Sequence, residues 1–123
     1  MSDKSEIFEE LERRVVEARV YLGIDQAREE LTQLESRATS PDLWDDQDEA
    51  RKITGRLANV RDDIERWEKV RAELDDAATL EVLAREEDDE SVEGEIDSAI
   101  LALERQLDDI ELLALFNGEH DEN

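Results

Sequence analysis

The chain has 123 residues, 43% of them charged and 38% hydrophobic, with four Gly, one Pro and no Cys, and a formal net charge of −23. That length allows one domain, and the absence of Cys excludes disulfides and thiolate ligation, as expected of a chain in a reducing compartment. A charge-rich composition so poor in Gly and Pro predicts elongated helices, and the acidic surface disfavours extensive contact with a phosphate backbone.

The acids are unevenly placed. Residues 1–72 hold 19 Asp/Glu against 13 Lys/Arg, whereas residues 73–123 hold 19 against only Arg85 and Arg105. Solubility of a long exposed helix is the plain reading of this asymmetry, and attraction of a basic protein partner is the sharper one. The opening residues lack the basic and apolar regions of a signal peptide, and every apolar run is too short to span a membrane.

In chain order, the first helix is predicted from Ser5 to about Leu22, with Ile7/Phe8, Leu11, Val15, Ala18/Arg19 and Leu22 on one face and Gly23 as its stop. Asp25 is expected to cap a second helix carrying Ala27, Leu31 and Leu34, which should fade near Ala38 or Thr39. Ser40-Pro41-Asp42-Leu43-Trp44-Asp45-Asp46 reads as a single helical turn with Ser40 as N-cap and Pro41 at the first position. Trp44 is expected to anchor this bend, because a large aromatic in a tight connector usually closes the core. The alternative is an exposed contact residue.

A third helix should begin near Gln47, capped by Asp45 or Asp46, and run to about Asp76, roughly 45 Å at ~1.5 Å per residue. Its apolar ladder is Ala50, Ile53, Leu57, Val60, Ile64, Trp67, Arg71, Leu74 and Ala78, stepping by three and four residues. Gly55 lies off this ladder and does not break it. Arg71 is the single exception, read as a snorkelling side chain with an acidic neighbour and Val70 beside it. Ala77–Ala84 reads as a short helix or a continuation. The run Glu86-Glu87-Asp88-Asp89-Glu90 should then mark an exposed hairpin turn and is the candidate partner contact. It lacks the Gly and alternating oxygen ligands of a calcium loop. Ser91 is expected to cap a last helix from about Val92 to Phe116, whose ladder is Ile96, Ile100, Leu103, Leu107, Ile110 and Ala114. Gly118 should end it, and His120 sits in a polar tail as a solvated residue.

The two ladders are expected to close on each other. The predicted fold class is therefore all-α: an elongated antiparallel helical hairpin or coiled-coil bundle with shorter N-terminal helices. No Gly-rich phosphate loop, His pair or Cys is present, and the carboxylates fall on predicted solvent faces. Neither catalysis, nor a cofactor, nor a bound metal is expected of this segment.

Three short segments carry a family resemblance. Ser40 to Asp46 resembles the "PxxWDD" stretch of the N-terminal domain of bacterial peptide chain release factor 2. Leu115-Phe116-Asn117-Gly118-Glu119-His120-Asp121-Glu122-Asn123 is similar to the "FSGEYDEN" stretch that closes that domain. Tyr21-Leu22-Gly23-Ile24-Asp25 fits the "YLDxD" connection between its first helices. Trp44 and the closing residues favour this family over its paralogue, release factor 1. The resemblance implies a cytoplasmic translation factor that recognises stop codons and triggers hydrolysis of peptidyl-tRNA on the ribosome. It also implies that the present residues supply none of the working tripeptides, since neither Ser-Pro-Phe nor Gly-Gly-Gln occurs in the sequence. Residues 1–116 would be the helical N-terminal domain and residues 117–123 the start of a linker to the catalytic core. In the family this domain lies near the ribosomal GTPase-associated region, with a GTPase release factor as a further partner and no membrane contact.

Two other readings compete. A self-contained acidic coiled-coil adaptor or dimerising spacer would oligomerise with concentration. An acidic mimic of nucleic acid would bind a basic site in a salt-sensitive way.

Overall fold

The computed structural model describes residues 3–116. These residues form α1 (Ser5–Tyr21), α2 (Ile24–Ala38), a 3-10 turn (Pro41–Asp45), α3 (Gln47–Glu86) and α4 (Glu93–Phe116), with no strand among them. The fold is all-α, as the composition and ladders predict. The expectations for Gly118, for His120 and for residues 117–123 lie outside the described residues.

α3 is the spine. Its 40 residues extend about 60 Å, because nothing in the sequence breaks the helix between Asp76 and Ala77. Of the two readings open for Ala77–Ala84, a short helix or a continuation, the continuation holds, and these residues belong to α3. Asp46 caps its start, accepting the Glu49 backbone N–H at 3.2 Å. Gly55 stands in mid-helix facing open space.

α1 and α2 form an interrupted rod that runs antiparallel along the length of α3. On α1, Glu12 meets Arg71, and the Val15 carbonyl accepts from the Trp67 indole. On α2, Arg28 meets Glu68 and Arg37 meets Glu49. The joint between the two is Gly23, whose φ of +60° places it in the left-handed region that Gly enters without strain. α4 folds back antiparallel to the C-terminal half of α3, with Gln106 donating to Glu73 at 2.7 Å. It lies parallel to α1, where Arg14 reaches Asp108 and Glu111 at 2.8 Å each.

The molecule is consequently three helices thick around the C-terminal half of α3 and two helices thick, plus the 3-10 turn, around its N-terminal half. One apolar core threads both halves, from Leu43, Ala50 and Leu57 through Trp67 to Leu103, Leu107 and Ile110. The second ladder is buried at every one of its positions. The first is buried through Trp67 and then steps to Val70, Leu74 and Ala77 in place of Arg71 and Ala78. A helix of 3.6 residues per turn drifts relative to a strict heptad, and the neighbour changes near Trp67 from α2 to α1 and α4. The two ladders thus close on each other only over the second half of α3, and the first half closes on α2.

Four local expectations are corrected. Gly23, not Asp25, occupies the N-cap of α2, and Asp25 instead pairs with Arg19 at 2.7 Å. Ser40 holds the N-cap position and Pro41 the first position of the 3-10 turn as expected, and only the bond is corrected, since the Ser40 side chain makes none. Ser91 lies two residues before the first residue of α4, and its hydroxyl donates to Asp89 at 2.6 Å. Trp44 does not close the core: Leu43 does, at 5% exposure, while Trp44 is 56% exposed. The tight turn can send only one of two adjacent side chains inward, and the smaller one fits the gap above α3.

Candidate interaction surface

Most basic side chains of residues 1–72 bridge between helices, although Arg13 and Arg51 pair within their own. Arg56 pairs with Glu30 at 2.6 Å and Arg61 with Glu35 at 3.1 Å, joining α3 to α2. Arg71 reaches Glu12 at 2.6 Å and Asp75 at 2.7 Å. That bridge confirms Arg71 as a snorkelling side chain with acidic neighbours, although its Nε is buried without a partner. The Arg71 hydrogen bond holds the Glu12 carboxyl below the usual range, outweighing its partial burial. Asp63 behaves oppositely, because burial raises its pKa more than Arg66 and Arg56 lower it.

At the α3–α4 end, Lys4 is the one buried charged residue among those described, at 6% exposure. It bridges to Glu93 at 3.3 Å and Asp97 at 3.6 Å, fastening the start of α1 to the start of α4. Burial works against its charge, but the two carboxylates prevail and raise its pKa. Beside it lies a small cavity lined by Glu81, Arg85, Asp89, Glu90 and Ile96, with room for about one water. That volume holds no substrate.

The predicted contact run sits at this end. Glu86 closes α3, and Glu87, Asp88, Asp89 and Glu90 form the turn into α4; all five are exposed. Asp88 adopts φ +54°. The Asp89 N–H then donates to the Ala84 carbonyl at 2.8 Å and the Asp88 N–H to Arg85 at 3.3 Å, satisfying the last carbonyls of α3. Asp89 accepts from the Ser91 hydroxyl and then from its backbone N–H, which lowers its pKa. The turn is built, and four of its five carboxylates point no hydrogen bond inward. Among the described residues no group of three or more His, Cys, Asp or Glu side chains is placed to hold a metal ion. No helix there is long and apolar enough to cross a membrane.

Of two exposed apolar features, the sequence suggests the first only as an alternative and leaves the second unrecognised. One is Trp44, discussed above. The other is the end of α4, where Leu112, Leu113, Leu115 and Phe116 are all exposed, Phe116 at 78%. The ladder marks the buried face of α4 but carries no signal about apolar residues between its rungs, and four such residues within the last five positions were readable as a cluster.

The sequence profile of the PCRF domain matches residues 27–123, from the first turn of α2 onward. Over 119 residues, or 97% of it, the chain is 34% identical to peptide chain release factor 2 of Streptomyces avermitilis, of which it covers 32%. It is 33% identical over 120 residues to the same factor of Salinispora tropica, covering 98% of this chain and 32% of that one. Against the factor of Mycobacterium avium it is 37% identical over 103 residues, 82% of this chain and 28% of the relative. The chain spans about a third of the length of the curated relatives it matches. The helical architecture, the turn around Trp44 and a profile match over most of the sequence agree, and the chain belongs to the PCRF domain family.

Proposed function

We propose that this chain is the helical, non-catalytic N-terminal domain of a translation termination factor of the release factor 2 type. The observation that carries this reading is similarity to release factor 2 of Streptomyces avermitilis along 97% of the chain while covering only 32% of the relative. The elongated shape of the described residues, built on the 40-residue α3, supports a docking arm. In this role the domain works in the cytoplasm, docks near the ribosomal GTPase-associated region and engages a GTPase release factor where one is present. The exposed acids Glu86–Glu90 offer a contact for a basic protein segment.

The test is made on the longer gene product. Its reading frame should continue past Asn123 into a segment containing Gly-Gly-Gln. Deleting residues 1–116 should leave stop-codon-dependent peptide release measurable on programmed ribosomes, while impairing turnover that depends on the GTPase factor. A frame with no such downstream segment would overturn the proposal.

A dimerising spacer remains the second reading, favoured by the exposed Leu112, Leu115 and Phe116 on α4. Sedimentation across a wide concentration range decides it. A monomer throughout excludes the spacer, and an oligomer that dissociates in a Phe116→Ser variant supports it.

A further inference from the structure

The molecule contains two tryptophans in opposite circumstances. Trp67 is buried, its indole N–H donates to the Val15 carbonyl at 2.9 Å, and two guanidinium groups flank its ring. Arg19 lies 5.4 Å and Arg28 5.7 Å from the ring centroid. Those distances are within cation–π range. Trp44 is fixed in the same manner, since its indole N–H donates to the Ala38 carbonyl at 3.2 Å and the backbone is set by Pro41 and the 3-10 turn. Yet Trp44 is 56% exposed, and among the described residues the cation–π contacts fall on Trp67 and none on Trp44. An aromatic ring held rigidly at the surface loses little conformational entropy when it is covered.

The charges around it say what would cover it. From Ser40 to Glu49 the chain has five carboxylates and no base. Asp46 caps α3, Glu49 pairs with Arg37 at 3.1 Å, and Asp48 is only 4.0 Å from Arg51. Asp42 and Asp45 stand three residues apart, so the 3-10 turn brings them to one face. Both are exposed, and neither has a cationic partner among the described residues. In a fold whose other helix contacts are laced with Arg–carboxylate pairs, two unmatched carboxylates beside an open indole form half of the same recognition unit.

We propose that Trp44, with Asp42 and Asp45, is a docking point for a basic peptide segment of a protein partner. An Arg or Lys of that segment would stack on the indole and pair with the two carboxylates, as Arg19 and Arg28 stack on Trp67 within the domain. This builds on the reading of the domain as a docking arm and adds a second contact at the end of α3 remote from Glu86–Glu90.

The test titrates an alternating Gly-Arg decapeptide into the 123-residue chain at about 0.15 M salt, where diffuse charge attraction is screened. The Trp44 indole N–H resonance should shift while that of Trp67 stays. Trp44→Ala should weaken binding about fivefold or more, Trp44→Phe should retain part of the affinity, and Asp42→Asn with Asp45→Asn should weaken it comparably. Neutralising Glu86–Glu90 should change it by less than about twofold, because those acids lie beyond a Debye length. Circular dichroism should show unaltered helicity in each variant, as Leu43 and not Trp44 fills the core. Equal affinity in Trp44→Ala, or an unmoved Trp44 resonance, overturns the proposal in favour of diffuse charge attraction. Self-association of the chain that Trp44→Ala abolishes would also overturn it, assigning the ring to a second copy. Either failure leaves the ribosomal role untouched, since no ribosome enters the measurement.

Discussion

Asp88 holds the left-handed position that ends α3, with φ +54°. An L side chain there meets its own backbone, a strain that Gly does not have. Asp88→Gly should therefore raise the unfolding free energy by about 0.5–1 kcal/mol, read as a higher urea midpoint at constant slope. A lower midpoint would mean that the Asp88 carboxylate contributes something the geometry does not reveal. The acid run was readable in the sequence as an exposed turn. Which of the five residues takes the strained position was not, because five like side chains offer no local preference. Trp44 and Leu43 teach the same point: the sequence shows two adjacent apolar residues, and only packing against α3 decides that the leucine enters.

At the scale of elements, α3 serves two partners in succession, and its two halves should respond differently to cavities. Leu103 is fully enclosed between α1, α3 and α4, whereas Leu57 lies in the thinner layer formed with α2. Leu103→Ala should cost about 3–5 kcal/mol and Leu57→Ala nearer 2–3 kcal/mol, since the shallower site loses less buried surface and relaxes more. Hydrogen exchange should localise the loosening: the Leu57 variant opens α2 and the first half of α3, and the Leu103 variant opens α1, α4 and the second half. Uniform loosening in both variants would refute the division into two half-cores. The ladder predicted the buried stripe correctly as far as Trp67. Beyond it the rungs shifted to Val70 and Ala77, because the stripe follows whichever neighbour is present and not an ideal period.

For the whole molecule the dominant electrostatic fact is a net charge of −23. Self-repulsion on this scale opposes compaction, although individual bridges such as Arg56–Glu30 favour it. Added salt at pH 7 should therefore raise the melting temperature, because screening weakens the many unmatched acid–acid repulsions more than the short bridges. Acid acts in two stages. Asp63, with its pKa raised by burial, gains a proton more readily when folded, so its contribution to stability rises as pH falls toward its folded value. Glu12, Glu30 and Glu73 have folded pKa values lowered chiefly by Arg71, Arg56 and Gln106 respectively. Their contribution is present above the unfolded value near ~4.3 and disappears as pH falls through the folded ones, so stability should drop below about pH 4. Glu12→Gln should flatten that acid limb in a melting series.

By itself the sequence determined the helical class, the break at Gly23, the start of α3 at Gln47, the buried rungs of α4 and the family. Each rests on local chemistry: helix periodicity, the freedom of Gly, a capping carboxylate, or a short run of residue types. Tertiary structure decided the rest. It alone set the partnership of α1 and α2 with α3, the handover of the buried stripe at Trp67, the bridge from Arg71 to Glu12 and the outward turn of Trp44. Those features depend on which surfaces meet, at Trp67 and Arg71 across 52 and 59 residues of chain, and a periodic pattern specifies that a face must be covered without specifying by what.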